Sequence, residues 1–194
     1  MRSFTAITAA LALAGSALAG PIDRRQAGSA CFVVGNTVLP KSTADAVNVL
    51  RPDITCSSTA KTLSGVPDVT AGAVSFSSID FSKAPRGQST LAFALDKFKT
   101  ATPLASTDLQ RFEDSLKVYV ATEIALRSVG ANLAIKVPKF FLEMQVSRIK
   151  TAQGNAPTEA GLQVDHLRDK VTKNAAGQDK ALLDQVVALA AQLR

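Results

Sequence analysis

The chain has 194 residues, of which 46% are hydrophobic and 5% aromatic, and its formal net charge is +6 at pH 7. This length suffices for one ordinary domain with a hydrophobic core. No apolar stretch approaches the roughly 20 residues that a membrane-spanning helix requires, so no transmembrane anchor is predicted. The basic side chains are scattered singly rather than in runs, which argues against nucleic-acid binding.

The first residues predict a secretory signal peptide. Arg2 precedes an apolar run, and Ala17-Leu18-Ala19 has the A-x-A pattern of a cleavage site. We therefore expect residues 1–19 to be removed, and residues 20–25 to be a propeptide that ends at the dibasic pair Arg24-Arg25. An ordinary flexible N-terminus is the alternative. The leader predicts that the protein is secreted, to the extracellular space or the cell wall.

The remaining residues, 26–194, are predicted to form a single globular domain. Without the leader the net charge falls to +4, because residues 1–25 hold three basic side chains and one acidic one. Cys31 and Cys56 are the only cysteines, and in an oxidising compartment we expect them to form one disulfide. No Asn-x-Ser/Thr sequon is present, so N-glycosylation is excluded.

Residues 31–81 have the pattern of a β-rich and loop-rich subregion. The stretch "CFVVGNTVL" predicts a hairpin that turns at Gly35-Asn36, and "KSTADAVNVLRP" predicts a short helix that Pro52 ends. The stretch "TLSGVPDVTAG" is rich in turn residues, whereas "AVSFSSIDFS" alternates as a strand with one buried face. The loop "KAPRGQS" marks the boundary with the next subregion.

Residues 89–194 are predicted to be helical. Five segments carry the helical pattern: 89–101, 106–129, 138–153, 158–174 and 179–193. Ser106 or Thr107 is expected to cap the second segment, Gly130 to end it, Pro138 to open the third and Gly154 to close it. The predicted fold is therefore α+β but mainly α: a bundle of about five helices with an N-terminal, disulfide-stapled β/loop layer.

Several stretches resemble a known family. They are "CFVVGNTVLP", "LSGVPDVTAG", "SFSSIDFS", "NLAIKVPKFFLEMQVSRI" and "GLQVDHLRDKV", and together they span nearly the whole mature chain. They are similar to a family of small secreted fungal proteins of unknown function. The resemblance implies a fungal, extracellular protein, and it brings no catalytic or binding residue with it.

His166 is the only histidine of the chain, and it follows Asp165 directly. On a helical wheel of residues 158–174, the apolar face holds Val164, Leu167 and Val171. His166 lies roughly 130° from the centre of that face, among charged residues. We interpret it as an exposed residue of an amphipathic helix, and we predict no catalytic residue.

No metal site or cofactor is predicted. The sequence has no H-E-x-x-H, E-x-x-H or EF-hand spacing, no glycine-rich phosphate loop and no Walker motif. Both cysteines are expected to be bonded to each other. Glu143 is expected on the polar side of its helix, near Lys139, Ser147 and Lys150, rather than facing inward as a metal ligand.

Glu123 is the most unusual residue of the helical region, because it lies near the centre of the apolar face of segment 106–129. Arg127 follows four residues later, and Arg148 lies on the apolar side of the next helix. An isolated buried charge is costly, so we expect Glu123 to pair with Arg148 or Arg127. The pair would be structural or, alternatively, would anchor a ligand; these three residues are our candidate ligand-binding residues.

The stretch "VPKFFLEMQVSRI" is the most apolar helix, and we expect it at the centre of the bundle, with contact to a lipid as the alternative. We predict a monomeric protein without enzymatic activity, whose partner is an extracellular molecule or a hydrophobic ligand. The alternative is a small hydrolase with a carboxylate and arginine site. A hydrolase requires a cavity where such residues converge, whereas an apolar cavity favours a lipid carrier.

Overall fold

The computed structural model of the protein describes residues 30–194, so the predicted signal peptide (1–19) and propeptide (20–25) lie outside the described residues. The helices are α1 (Lys41–Leu50), α2 (Thr90–Lys97), α3 (Leu109–Ser128), α4 (Lys136–Ala152), α5 (Val164–Asn174) and α6 (Lys180–Ala191). The strands are β1 (Thr55–Lys61), β2 (Pro67–Ala71) and β3 (Val74–Ser75). The α+β, mainly α class is confirmed, and so is a helical region of five helices after an N-terminal layer.

The described chain divides into two compact units. The first unit contains residues 30–78 and 117–133, and the second contains residues 79–116 and 134–194. Helix α3 contributes its first residues to the second unit and the rest to the first. Almost every residue of α3 between Phe112 and Leu126 is buried, on all faces of the helix.

A disulfide and a small sheet organise the first unit. The predicted bond between Cys31 and Cys56 is confirmed, and it joins the segment before α1 to strand β1. The sheet is antiparallel with the order β1-β2-β3. The buried ring of Phe76 packs edge-on against Tyr119 of α3, with ring centroids 5.3 Å apart. Tyr119 is thus a core residue, as its place on the apolar face of the helix indicates.

The predicted hairpin at Gly35-Asn36 is wrong, because residues 31–40 contain no strand. The end of α3 takes up the backbone donors of this segment instead. The N–H of Gly35 donates to the hydroxyl of Ser128 at 3.0 Å, and the N–H of Thr37 donates to the Ser128 carbonyl at 2.9 Å. Hydrogen bonds to a residue far away in sequence replace the local pairing that a Gly-Asn turn favours.

The strands of the sheet also differ from the prediction. β2 lies in the stretch that was predicted to be turns, and β1 lies in a Ser- and Thr-rich stretch for which no strand was predicted. Within "AVSFSSIDFS" only Val74–Ser75 pairs as a strand. The chain then turns, and the Asp68 carboxylate accepts the N–H of Ser77 at 3.0 Å. A side-chain acceptor there takes the place of a strand partner.

The ends of α3 and α4 follow the predicted glycine signals, whereas α2 ends at Lys97 rather than at 101 and α5 begins at Val164 rather than at 158. Gly130 and Gly154 have φ of 69° and 80° at the ends of α3 and α4, the left-handed conformation that glycine adopts readily. The start of α3 differs as well, because Asp108 accepts the N–H of Arg111 there, at 3.1 Å. Thr107, one of the two predicted caps, accepts the N–H of Ala101 instead.

In the second unit, α4 packs against α2 and α5, and α5 packs against α6. Helix α4 is buried around most of its circumference, as its apolar composition predicts. Of the helices within residues 30–194, none combines the length and the apolar character that a bilayer crossing demands.

Candidate functional site

Glu123 and Arg127 form an ion pair within the first unit. The Nη2 atom of Arg127 lies 2.7 Å from Oε1 of Glu123, and its Nε atom lies 3.0 Å from the same oxygen. Their spacing of four residues places the two side chains side by side on the surface of α3. The Glu123 side chain is buried and that of Arg127 is 27% exposed. Of the two partners expected for Glu123, the structure thus pairs it with Arg127.

Arg148 belongs to the second unit, where it is 2% exposed on α4. Its Nη2 atom donates to the Gln192 carbonyl at 2.8 Å, and its Nη1 atom donates to the side-chain oxygen of Gln145. The Nε atom is buried and has no hydrogen-bond partner among the described residues. Burial lowers the pKa of Arg148, because an apolar environment disfavours the charged form.

A chain of hydrogen bonds orients the guanidinium of Arg148. The amide nitrogen of Gln145 donates to the carbonyl of Phe98, at the end of α2, at 2.8 Å. This bond leaves the amide oxygen of Gln145 free to accept from Arg148. The position of the guanidinium is therefore set from α2 on one side and from Gln192, just after α6, on the other.

Arg148 lines a cavity of about 550 Å³ in the second unit. This volume is in the range of small-molecule sites in proteins. The apolar part of its wall comes from the helices and the loop after α2: Leu95, Ala101, Leu104, Ala188 and Leu189. The polar part comes from amides, hydroxyls and basic groups: Gln145, Gln185, Gln192, Thr100, Thr102, Lys99, Arg148 and Arg194.

The charged side chains of the cavity wall, as far as the structure describes them, are all basic. Lys99 is exposed, and its Nζ atom lies 2.6 Å from Oδ1 of Asp96, a residue that does not line the cavity. A hydrogen bond from Lys99 and the attraction of its charge lower the pKa of Asp96. The charge of Asp96 therefore compensates that of Lys99. Because both side chains are exposed, water screens this ion pair. Arg194 is exposed to water as well. The described residues give Arg148 no carboxylate partner, so it is the buried charge of the wall that no opposite charge compensates.

His166 is not one of the residues that line the cavity, and it is exposed on α5 as predicted. On the same helix Val164, Leu167 and Val171 are buried. The charged neighbours are bonded to one another: Arg168 lies 2.7 Å from Asp165 and 2.9 Å from Asp169. The helical wheel thus predicted the exposed position of His166 correctly.

Glu143 shares the polar side of α4 with Lys139 and Ser147, as predicted, but this side is buried. Glu143 is 5% exposed, and its neighbours Lys139 and Ser147 are buried as well. Their burial has a tertiary cause, because α4 is covered on most of its faces, its polar side included. Between residues 30 and 194, no cluster of three or more His, Cys, Asp or Glu side chains has an arrangement that could hold a metal ion.

A family model described as "Domain of unknown function (DUF7143)" matches residues 33–194, which is most of the chain. The chain belongs to this family. The DUF7143 match spans every strand and helix named above and all the residues of the cavity wall. Neither the curated proteins nor the solved structures contain a match to the chain.

Sequence reasoning found Arg148 but missed the residues around it. Lys99, Gln145 and Gln192 come from three separate parts of the chain, and none stands in a motif. Their types are ordinary for helix surfaces and loops. Only the packing of α2, α4 and the end of α6 brings them to one cavity, so no local signal could have indicated them.

Proposed function

We propose that this protein is a secreted, non-enzymatic binding protein that holds a hydrophobic small molecule in the cavity of its second unit. The cavity carries the proposal, since it combines a volume of about 550 Å³ with an apolar part of the wall that includes Leu95, Leu104 and Leu189. Binding sites for small molecules are mostly apolar, with a few polar groups that orient the ligand. Arg148 is the polar group that we assign to this role.

Binding is favoured over hydrolysis by the chemistry of the wall. The described residues of the wall include no carboxylate side chain, histidine, cysteine or serine. Acid–base and nucleophilic catalysis most often use such groups. The described part of the wall thus has no histidine or carboxylate side chain to activate the hydroxyls of Thr100 and Thr102, and Lys99 is already in an ion pair. The Glu123–Arg127 pair lies in the other unit, and we assign it a structural role.

Secretion rests on the leader and on the disulfide. The leader has the charge, the apolar run and the small-residue pattern of a signal peptide. The Cys31–Cys56 bond is of a kind that persists in oxidising compartments. The fungal origin rests on the family resemblance of the sequence.

Filling the cavity tests the proposal. Ala188→Trp places a large side chain on the cavity wall, whereas Ala181→Trp places it on an exposed position of the same helix, outside the wall. We expect the first substitution to weaken binding of a neutral fluorescent dye such as Nile red at least about tenfold, and the second to leave it unchanged. Fluorescence titration of the secreted proteins measures both. Equal binding by the two variants contradicts the proposal.

A further inference from the structure

The hydrogen bonds of Arg148 leave one side of its guanidinium incomplete. The Nε and Nη2 groups lie side by side, and together they form the fork that binds both oxygens of a carboxylate. In this structure Nη2 donates to the neutral carbonyl of Gln192, and Nε has no partner. Of the two nitrogens of the fork, Nη2 thus has a neutral acceptor and Nε has none among the described residues.

This arrangement is unusual for a buried charge. A guanidinium withdrawn from water normally gains a carboxylate partner, because desolvation without compensation is costly. Arg148 is 2% exposed, and the described residues offer it two neutral acceptors, Gln145 and Gln192. Buried polar groups without a partner are few in native proteins, and each calls for an explanation. A ligand with a negative charge supplies one here.

The neutral acceptor of Nη2, the Gln192 carbonyl, lies just after the end of α6. Gln192 is exposed and follows the last residue of α6, so its carbonyl is not part of the helix. Both Gln192 and Arg148 are among the residues that line the cavity. An oxygen of a ligand in the cavity can therefore take the place of this carbonyl without breaking a helical hydrogen bond.

We propose that the cavity selects ligands that carry a carboxylate on an apolar tail, and that Nε and Nη2 of Arg148 bind the carboxylate in place of the Gln192 carbonyl. The apolar tail lies against Leu95, Leu104 and Leu189. This inference rests on the proposed binding function and adds the charge and the chemical class of the ligand.

Two probes with the same tail and different head groups separate the two proposals. Isothermal titration calorimetry of the full secreted protein compares decanoate with decanol at neutral pH. We expect decanoate to bind at least about tenfold more tightly, because charge-assisted bidentate hydrogen bonds are absent with the alcohol. Equal affinities overturn the carboxylate inference and leave the binding function intact. Binding of neither probe overturns both.

Substitution of Arg148 tests the residue itself. Arg148→Gln removes the charge, and we expect decanoate to lose its advantage while decanol binds as before. Arg168→Gln, on a half-buried arginine of α5 outside the cavity wall, is the matched control and should keep the preference. A decanoate preference that survives in a folded Arg148→Gln protein contradicts the inference.

A measurement on the unaltered protein covers the case in which Arg148→Gln does not fold. The Nε–H resonance of Arg148, assigned through its own side-chain carbons, reports directly on the empty donor. We expect decanoate to shift this resonance in proportion to binding, since a new acceptor reaches Nε, and decanol to leave it in place. Binding of decanoate without a shift of this resonance places the carboxylate elsewhere and overturns the proposal.

Discussion

Glu123 and Arg148 illustrate two ways in which a charge is held inside this protein. Glu123 has a partner of opposite charge four residues away on its own helix, at 2.7 Å. Arg148 is held by neutral oxygens, with one nitrogen unpaired. An ion pair between adjacent helical turns needs no ligand to be complete. At the residue scale, this difference separates a structural charge from a candidate binding charge.

The structural role of Glu123 predicts a loss of stability on neutralisation. Glu123→Gln leaves Arg127 without its counter-charge while keeping the side-chain size. We expect the free energy of unfolding to fall by about 1–2 kcal/mol, less than for a fully buried pair because Arg127 is 27% exposed and can be hydrated. Urea unfolding measures the change.

The control for this prediction is Asp184→Asn. Asp184 pairs with Lys180 at the same spacing of four residues, but both side chains are exposed. Exposed pairs contribute little, so we expect a change below about 0.5 kcal/mol. A similar loss in both variants would argue that the burial of Glu123 has no energetic consequence.

At the scale of elements, the segment 31–40 is held by its contact with the end of α3. Gly35 allows the close approach, since a Cβ atom at this position would lie 1.9 Å from the carbonyl oxygen of Ser128. The contact is made by backbone atoms, which cannot move aside as a flexible side chain can. The glycine that predicts a hairpin turn in the sequence is therefore required for a different reason.

This contact predicts that Gly35→Ala destabilises the protein. We expect a loss of about 1–3 kcal/mol, the usual cost when an added group forces the backbone to shift. Gly177→Ala is the matched control, because a Cβ there meets no atom within 4 Å, and it should change stability by less than about 0.5 kcal/mol. The midpoint of urea unfolding measures both changes. Equal midpoints for Gly35→Ala and the unaltered protein would refute the close contact.

The helices were predictable from the sequence and the strands were not. Helix signals are local: an apolar period, a polar cap and a glycine such as Gly130 or Gly154 at the end. The strands of this sheet are short, and β1 is Ser- and Thr-rich without alternation in its burial. Its assignment depends on pairing with β2, the next strand along the chain, and the register of that pairing shifts between Cys56 and Lys61. The sequence pattern therefore failed where backbone pairing, and not alternation along one segment, defines the strand.

At the scale of the whole molecule, one covalent bond ties the N-terminal segment to the sheet. Cys31 and Cys56 are 25 residues apart, and their loop contains the whole of α1. A crosslink of this span restricts mainly the unfolded chain. The bond therefore adds to the free energy of unfolding mainly by lowering the entropy of the unfolded chain.

Removal of the disulfide should lower the stability of the protein without changing its fold. We expect the Cys31→Ser, Cys56→Ser double variant to lose about 3 kcal/mol. Its circular dichroism spectrum should keep the helical content of the parent, because five of the six described helices lie outside the loop. The same denaturation curve in the parent and the variant would contradict this prediction.

Maturation gives a second prediction at this scale, on residues outside the described part of the chain. If the dibasic pair Arg24-Arg25 is cleaved after the signal peptide is removed, the secreted protein begins at Gln26. Intact mass spectrometry should show a chain of residues 26–194, with the mass loss of one disulfide. A secreted chain that begins at Gly20 would show that the propeptide is retained.

The sequence by itself determined the fold class, the disulfide partners, the approximate positions of the helices, the exposed place of His166 and the need of Glu123 for an arginine partner. Each of these follows from spacing along one segment or from the small number of candidates. Only the tertiary structure decided the strand register, the burial of Glu143 and the surroundings of Arg148. These depend on which segments pack together, and packing joins residues that no local pattern relates. The cavity with its unpaired arginine belongs to this second group, because three helices and a loop must assemble before it exists.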